Sequence, residues 1–188
     1  MYADNFDKYP TSWSSDGKFI IYSSPGTSRS DLWILPLTND RKPFAFTQTT
    51  VNATYEFFSN GQFSPDGQWI AYQTNTSQRE IYVAPFPGPG GKRLISTQLG
   101  SQPRWRRDGK EIYYVAADHR LMVADVKAQG AILEVGAVRQ LFGPLLTGGG
   151  FQYDVSADGQ RFLAVTLPNQ TTSEPLTLIQ NWVSVLKK

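Results

Sequence analysis

The sequence predicts an all-β fold, and three observations support this prediction. Aromatic residues make up 13% of the 188 residues, and with Val, Ile and Thr they favour the pleated surface of a β-sheet. Sixteen Gly and 12 Pro supply frequent turns. No stretch longer than about ten residues shows convincing helical periodicity, and only 180–188 is ambiguous.

The composition narrows the function classes. A hydrophobic content of 40% provides enough material for a packed core, and a net charge of +2 gives too weak a field to indicate nucleic acid or a membrane surface as partner. The absence of cysteine excludes disulfides, thiolate metal sites and a Cys nucleophile. No run of about 18 apolar residues occurs, so we expect no membrane insertion of this segment.

A repeat runs through the whole chain. Each copy contains an Asp-Gly pair, with an apolar residue three positions before the Asp and apolar residues four and six positions after it. The pairs begin at Asp16, Asp66, Asp108 and Asp158, with spacings of 50, 42 and 50 residues. A four-stranded propeller blade takes roughly 40 to 50 residues, so the period predicts one blade for each copy.

The Asp-Gly pair carries turn chemistry. Glycine accepts a positive φ without a Cβ clash, and the Asp carboxylate can bind nearby backbone N–H groups. We therefore predict a structural turn between two strands in every unit. The turn residues are Asp16, Gly17, Asp66, Gly67, Asp108, Gly109, Asp158 and Gly159.

Each unit continues with further strands. Third strands are predicted at 32–35, 81–84, 121–124 and 176–179, and fourth strands at 43–46, 93–96 and 139–142, while the last unit has no clear fourth strand. The predicted blades cover about 10–48, 57–97, 101–143 and 150–188 of a single domain, 1–188. Four small sheets with apolar faces gain stability only by stacking, which predicts a β-propeller of four four-stranded antiparallel blades. A β-sandwich also has many short strands, but it does not explain the recurring turn.

The repeats resemble those of TolB and related, WD-repeat-like propellers. The resemblance rests on the Ser-x-Asp-Gly segments, on the following x-x-Ile-x-Tyr pattern and on strands such as 80–83. More narrowly, 62–72, 85–92 and 102–110 resemble the C-terminal propeller region of bacterial serine/threonine kinases. This resemblance implies a sensing or partner-binding role and an extracytoplasmic, periplasmic location, with a cytoplasmic location left open. This sequence departs from the repeat motif at Ser15, Arg107 and Ala157, which stand where Pro is preferred. It also departs at Arg106, which stands in the Ser position.

Four blades raise a closure problem, since four is the lower limit for propellers. An open arc would leave two apolar blade faces uncovered. We expect a partial propeller or half of a larger ring, in which two arcs associate into about eight blades, or closure by residues 1–9 as the missing strand.

Two long loops are the predicted ligand-binding region, because both lead from one blade to the next and lie on one rim. They cover 48–61 and 143–153, and the Gly-rich stretch 148–150 lacks the Lys-Ser/Thr pair of a phosphate loop. The predicted contact residues are Tyr55, Phe57, Phe58, Arg104, Phe151 and Tyr153.

Catalytic and metal chemistry finds little support in the sequence. His119 is the only histidine, it lies in a predicted tight turn, and no Gly-x-Ser-x-Gly elbow accompanies it. The turn aspartates are better explained as turn formers than as acid/base pairs. We therefore expect no cofactor, no metal and no enzymatic activity.

The basic cluster 104–107 raises the possibility of nucleic-acid binding, because basic residues interleaved with an aromatic can hold a single strand. The strand period instead points Arg104 and Arg106 one way and Trp105 towards the core. We expect a protein- or peptide-binding scaffold without nucleic acid. The alternatives are the accessory gating propeller of a prolyl-oligopeptidase-like hydrolase and a carbohydrate-binding propeller.

Overall fold

A computed structural model describes residues 6–25, 29–39, 41–47, 56–75, 78–88, 90–130, 132–146, 150–166 and 176–180. Side chains are described for these residues except 25, 29, 56, 57 and 176–180. Fifteen strands and no helix occur in this part of the chain. The prediction of an all-β propeller fold is confirmed.

The strands form four units, which we call blades one to four. Blade one contains β1 (Tyr9–Trp13), β2 (Phe19–Pro25), β3 (Arg29–Pro36) and β4 (Phe44–Ala45). Blade two contains β5 (Glu56–Phe63), β6 (Trp69–Asn75), β7 (Arg79–Pro85) and β8 (Arg93–Leu94). Blade three contains β9 (Gly100–Trp105), β10 (Glu111–Ala116), β11 (Leu121–Gln129) and β12 (Ile132–Phe142). Blade four contains β13 (Tyr153–Val155), β14 (Arg161–Val165) and β15 (Leu176–Gln180), with no fourth strand in the residues that the structure describes.

Consecutive strands pair antiparallel within every blade, in sequence order. Blades one and two are also joined directly, because β3 pairs with β5 in parallel at Arg29–Glu56 and Ser30–Phe57. The first two blades therefore share one continuous eight-stranded sheet.

The Asp-Gly turns connect the first two strands of each blade. In blade one, Ser14 Oγ donates to Asp16 Oδ1 over 2.7 Å, and the same carboxylate oxygen accepts from Lys18 N. Ser14 Oγ also accepts from Phe19 N, and Gly17 has a φ of +74°. Blades two and four repeat these contacts with Ser64 and Ser156.

Apolar side chains fill the spaces between neighbouring blades. We call these spaces seams one, two and three, in chain order. Seam one holds Ile21, Leu32 and Ile34 of blade one against Phe58, Phe63, Ile70 and Tyr72 of blade two. Seam two holds Trp69, Ala71, Ile81, Val83 and Ile95 against Ile112, Tyr114, Ala116, Ala124, Val126 and Leu133. Seam three holds Tyr113, Val115, Leu121, Val123, Leu141 and Leu145 against Tyr153, Phe162 and Ala164. Stacking of small sheets through apolar faces is thus the main packing mode of the protein.

A search of the described residues finds no helix with the length and apolarity needed to cross a bilayer.

Candidate functional site

The first strands of neighbouring blades lie side by side along the inner edge of the arc. Thr11 Oγ1 donates to the carbonyl oxygen of Gly61 over 2.8 Å, and Gln62 Nε2 donates back to the carbonyl oxygen of Thr11 over 2.6 Å. Trp105 Nε1 donates to the carbonyl oxygen of Gln62 over 3.2 Å. These hydrogen bonds tie β1 to β5 and β5 to β9, so the inner edge is a continuous surface.

Each of the first three inner strands contains a break in register. The breaks lie within 10–12, 59–62 and 101–104. Asn60 and Gln102 have positive φ values of 54° and 57°, and each lies six positions before the Asp of its turn. A bulge of this kind changes the direction of the side chains that follow it. The inner edge therefore carries its own repeated backbone irregularity.

Every blade has a polar side chain at one equivalent position of its first strand, and in the first three blades this position ends the break in register. The position lies four residues before the Asp of each turn, and we call this set the inner row. Its members are Ser12, Gln62, Arg104 and Asp154.

Contacts link the inner row from blade to blade. Ser12 Oγ accepts from the backbone N–H of Phe63 over 3.2 Å. Arg104 Nη1 donates to Gln62 Oε1 over 3.2 Å, and Arg104 Nε lies 3.8 Å from Asp154 Oδ1. Polar contacts thus cross three blade boundaries at one level of the arc.

Arg104 contacts two other members of the inner row, Gln62 and Asp154, and also an aromatic ring. Its guanidinium carbon lies 3.9 Å from the centroid of the Phe151 ring, which is a cation–π geometry. The buried Nε atom has no hydrogen-bond partner among the residues that the structure describes, since Asp154 is beyond hydrogen-bond range. A guanidinium over an aromatic ring can donate to a carboxylate or to the backbone oxygens of a peptide segment.

A network of buried amides supports this site from behind. Gln102 Oε1 accepts from Gln152 N over 2.7 Å, and the carbonyl oxygen of Gln102 accepts from the hydroxyl of Tyr153 over 2.8 Å. Gln73 Oε1 accepts from Gln102 N over 3.3 Å and from Asn60 Nδ2 over 3.0 Å. Burial raises the pKa of Tyr153 well above its usual value, so the hydroxyl remains a donor. The backbone around Arg104 and Phe151 is therefore held by polar contacts in the interior.

Three of the predicted contact residues come from the predicted loop 48–61, but β5 begins at Glu56, so the last part of this predicted loop is a strand. Tyr55 lies outside the described residues, and Phe57 belongs to β5 while its side chain lies outside them. Phe58 is buried in seam one, where its ring is 6.0 Å from that of Tyr72. Phe58 therefore contributes to the core and offers no surface.

The other three predicted contact residues lie close to one another. Arg104 and Phe151 form the cation–π pair, whereas Tyr153 is buried in seam three. The ligand-binding role of the six residues stays a prediction, and its surface members in the described part of the chain are Arg104 and Phe151.

Sequence reasoning missed Gln62, Gln102 and Asp154. A detectable signal exists for two of them, because the position four before each Asp is polar in all four copies. The four residues at this position are equivalent in the repeat but differ in residue type. A comparison of the repeats for identical residues therefore does not detect them.

The turn aspartates and His119 have local partners. Each turn carboxylate accepts a backbone N–H two residues ahead, and Asp108 also accepts two hydrogen bonds from Arg106. His119 is exposed in a turn and has a φ of +66°. Its backbone N–H donates to the carbonyl oxygen of Ala116. Within the described ranges, no three His, Cys, Asp or Glu side chains form a group that could hold a metal ion.

The basic cluster 104–107 is divided among different environments. Arg104 joins the inner row, and Trp105 packs against seam two. Arg106 forms ion pairs with Asp108 over 2.6 Å and with Glu111 over 2.8 Å. The cluster therefore does not form one basic surface.

Comparisons with known proteins identify the fold. No family model matches the sequence, and the search of curated proteins finds no match. TolB from Acinetobacter baumannii is 19% identical with a TM-score of 0.69, and the alignment covers 96% of this chain and 42% of that one. A TolB-like protein from Agrobacterium tumefaciens is 24% identical with a TM-score of 0.65, covering 94% of this chain and 58% of that one. The chain thus has a TolB-like propeller fold and spans about half the length of these two proteins.

One comparison corrects the expectation that the chain is not an enzyme. An oligogalacturonate lyase, solved with manganese, is 13% identical with a TM-score of 0.64, covering 98% of this chain and 53% of that one. Enzymes therefore occur among the structural neighbours, so the expectation is contradicted. The expectation was based on the lack of a hydrolase motif. One fold can carry many unrelated active sites, so neither the fold nor the missing motif excludes an enzymatic activity.

Proposed function

We propose that this chain is a protein- or peptide-binding propeller module whose contact surface is the inner row around Arg104 and Phe151. The observation that carries the proposal is the partly exposed Arg104 guanidinium held against the Phe151 ring on the inner edge. The guanidinium is already oriented by Gln62, so little side-chain entropy is lost when a carboxylate binds. The ligand class is a peptide segment that presents an acidic side chain or a terminal carboxylate.

A peptide array tests this proposal. Wild-type protein is applied to arrayed 12-residue peptides of random sequence, and we expect the retained peptides to be enriched in Asp and Glu. The Arg104→Gln variant should lose at least about tenfold in affinity for the retained peptides, as expected for a charge-assisted contact.

Lys92→Gln is the matched control. Lys92 also lies over an aromatic ring, 4.4 Å from the centroid of Tyr82, but it directly precedes β8, the last strand of blade two, whereas the inner row lies on the first strands. This variant should bind like wild type. Binding that is unchanged in Arg104→Gln, or a wild type that retains no peptide, would show that the proposed surface is wrong.

The larger protein is, in this proposal, a bacterial serine/threonine kinase with the propeller outside the cytoplasm. Support comes from the resemblance of 62–72, 85–92 and 102–110 to kinase-attached propellers. The complete open reading frame tests it: an adjoining kinase domain agrees with the proposal, whereas an adjoining hydrolase domain favours a gating role.

A further inference from the structure

Asp154 is the acidic member of the inner row. Its Oδ1 atom lies 3.8 Å from Arg104 Nε, which is within ion-pair range but beyond hydrogen-bond range. The same oxygen accepts from the backbone N–H of Val155 over 3.0 Å, so one end of the carboxylate is held in place. The Asp154 side chain is 67% exposed, whereas that of Arg104 is 26% exposed. An accessible negative charge therefore lies directly beside the guanidinium of the proposed contact surface.

Gln62, on the other side of Arg104, differs from Asp154 in charge and accessibility. Its side chain is neutral and buried, and both ends of the amide are engaged. Oε1 accepts from Arg104, and Nε2 donates to the carbonyl oxygen of Thr11. Gln62 therefore orients the guanidinium, whereas Asp154 remains accessible to a ligand.

The pair of Arg104 and Asp154 is looser than the other arginine–aspartate pair on the same segment of chain. Arg106 donates two hydrogen bonds to Asp108, over 2.8 Å and 2.6 Å. At 3.8 Å, the charges of Arg104 and Asp154 are not joined in this way. A ligand at the inner row thus meets a positive and a negative group side by side.

This arrangement restricts which acidic peptides can bind. A ligand carboxylate on Arg104 would lie within a few Å of the Asp154 carboxylate, and like charges at such a separation weaken binding. A basic group on the same ligand removes this penalty, because it pairs with Asp154. Repulsion of the wrong ligand and attraction of the right one together give specificity.

The spacing of the two ligand charges follows from the geometry of an extended peptide. Side chains at i and i+2 point to the same face and start roughly 6.6 Å apart, whereas those at i and i+1 point to opposite faces. Long acidic and basic side chains can converge from this spacing onto two protein groups that are 3.8 Å apart.

We propose that Asp154 determines the specificity of the inner row. The ligand is an extended peptide that places an Asp or Glu on Arg104 and a Lys or Arg, two positions away, on Asp154. This inference rests on the proposed function and adds a second, basic group to the ligand.

The array of random 12-residue peptides tests the inference when wild type is compared with Asp154→Asn. This variant keeps an oxygen that can accept from Val155 but removes the charge. Peptides retained by wild type should be enriched in Lys or Arg two positions from an Asp or Glu. With Asp154→Asn the acidic enrichment should persist and the basic enrichment should disappear. Asp154→Lys should instead select a second acidic residue at this spacing.

Asp118→Asn is the matched control. Asp118 is also an exposed carboxylate beside an arginine, with Oδ2 3.3 Å from Arg120 Nε, and its Oδ1 accepts from a backbone N–H. It lies in the turn between β10 and β11, away from the first strands that carry the inner row. Its retained peptides should match those of wild type, and all variants should keep the wild-type β-sheet circular dichroism.

Fluorescence anisotropy measures the effect on one retained peptide and on its counterpart with Gln in place of the basic residue. Wild type should bind the first at least about tenfold more tightly, and Asp154→Asn should bind both within about twofold. Basic enrichment that persists in Asp154→Asn, or a wild type that selects acidic residues alone, overturns the role of Asp154 but leaves peptide binding at Arg104 intact. A wild type that retains no peptide, or unchanged binding by Arg104→Gln, overturns both proposals.

Discussion

At the scale of single residues, the repeat depends on a serine and an aspartate that act together. In blade two, Ser64 Oγ donates to Asp66 and accepts from the backbone N–H of Trp69 over 2.9 Å. In blade three Arg106 stands in the place of this serine, and its guanidinium donates two hydrogen bonds to the carboxylate of Asp108. In both blades Oδ1 of the aspartate also accepts the backbone N–H two residues ahead, and this hydrogen bond fixes the turn.

Ser64→Ala should destabilise the protein by about 1–3 kcal/mol, because the buried N–H of Trp69 loses its acceptor. The matched control is Ser156→Ala, where the N–H that loses its acceptor belongs to the exposed Arg161 and can bind water instead. Urea unfolding at neutral pH measures both. Equal losses would show that burial does not determine the cost of the turn serine.

Asp108 gives a pH-dependent prediction. Hydrogen bonds from Arg106 hold the pKa of Asp108 below its usual value. A lowered folded-state pKa stabilises the folded protein above the unfolded-state pKa of about 3.9, and this contribution is lost as the pH falls through the folded-state value. Asp108→Asn should therefore show a shallower fall of Tm between neutral and acidic pH than wild type. Arg106→Gln, which removes the main cause of the shift, should flatten the curve in the same direction, and parallel curves for all three proteins would contradict this account.

At the scale of elements, the turns also act as packing surfaces between blades. A Cβ added at Gly159 would lie 2.7 Å from Arg106 Cδ and 2.8 Å from the Tyr113 hydroxyl, so the turn of blade four packs directly on blade three. The equivalent Gly17 has a similar φ, but no atom lies within 4 Å of its added Cβ.

The comparison of these two glycines predicts a difference in stability. Gly17→Ala should cost roughly 1–2 kcal/mol, the cost of a positive φ for a residue with a side chain. Gly159→Ala should cost more, because the methyl group must also displace Arg106 or Tyr113. Thermal unfolding of the two variants measures the difference. A smaller loss for Gly159→Ala would show that the contact between blades three and four yields easily.

Strand prediction succeeded where apolar alternation marks a buried strand and failed where it does not. The predicted third strands lie within β3, β7, β11 and β15, and the predicted fourth strands overlap β4, β8 and β12. The length of β12 was missed, because 132–137 is exposed except at Leu133 and shows no sustained apolar alternation, although this half forms hydrogen bonds with β11. In contrast, β4 and β8 are only two residues long. Of the predicted strands 43–46 and 93–96, only two residues each pair with the neighbouring strand, β3 or β7.

At the scale of the whole molecule, the sequence predicted the stacking but only part of the site. The Asp-Gly period is set by repeated turn chemistry, so one sequence suffices to detect it. Arg104 and Phe151 lie 47 positions apart, and the cation–π contact exists only because β9 and β13 meet at the inner edge. A contact between blades carries no local sequence pattern, which is why Gln62 and Asp154 were not predicted as its neighbours.

Unequal cover of the blades predicts unequal local stability. β6 packs in seams one and two, whereas the described side chains of β14 pack only in seam three. In a repeat protein, an element with fewer neighbours opens more readily. Hydrogen exchange at a concentration where the chain is monomeric should therefore show faster exchange for the amides of β14 than for those of β6. Indistinguishable rates would mean that the four blades open as a single unit.

The outer half of the β11–β12 hairpin has a practical consequence. Gly130 lies in its connection with a φ of +60°, no atom lies within 4 Å of a Cβ built there, and Lys127, Ala128 and Gln129 are exposed. Antiparallel pairing holds the two strands together up to Gln129–Ile132, so extra residues inserted at this tip would not disturb the seams between blades. A fluorescent label or an epitope placed there should report on the intact protein without altering it.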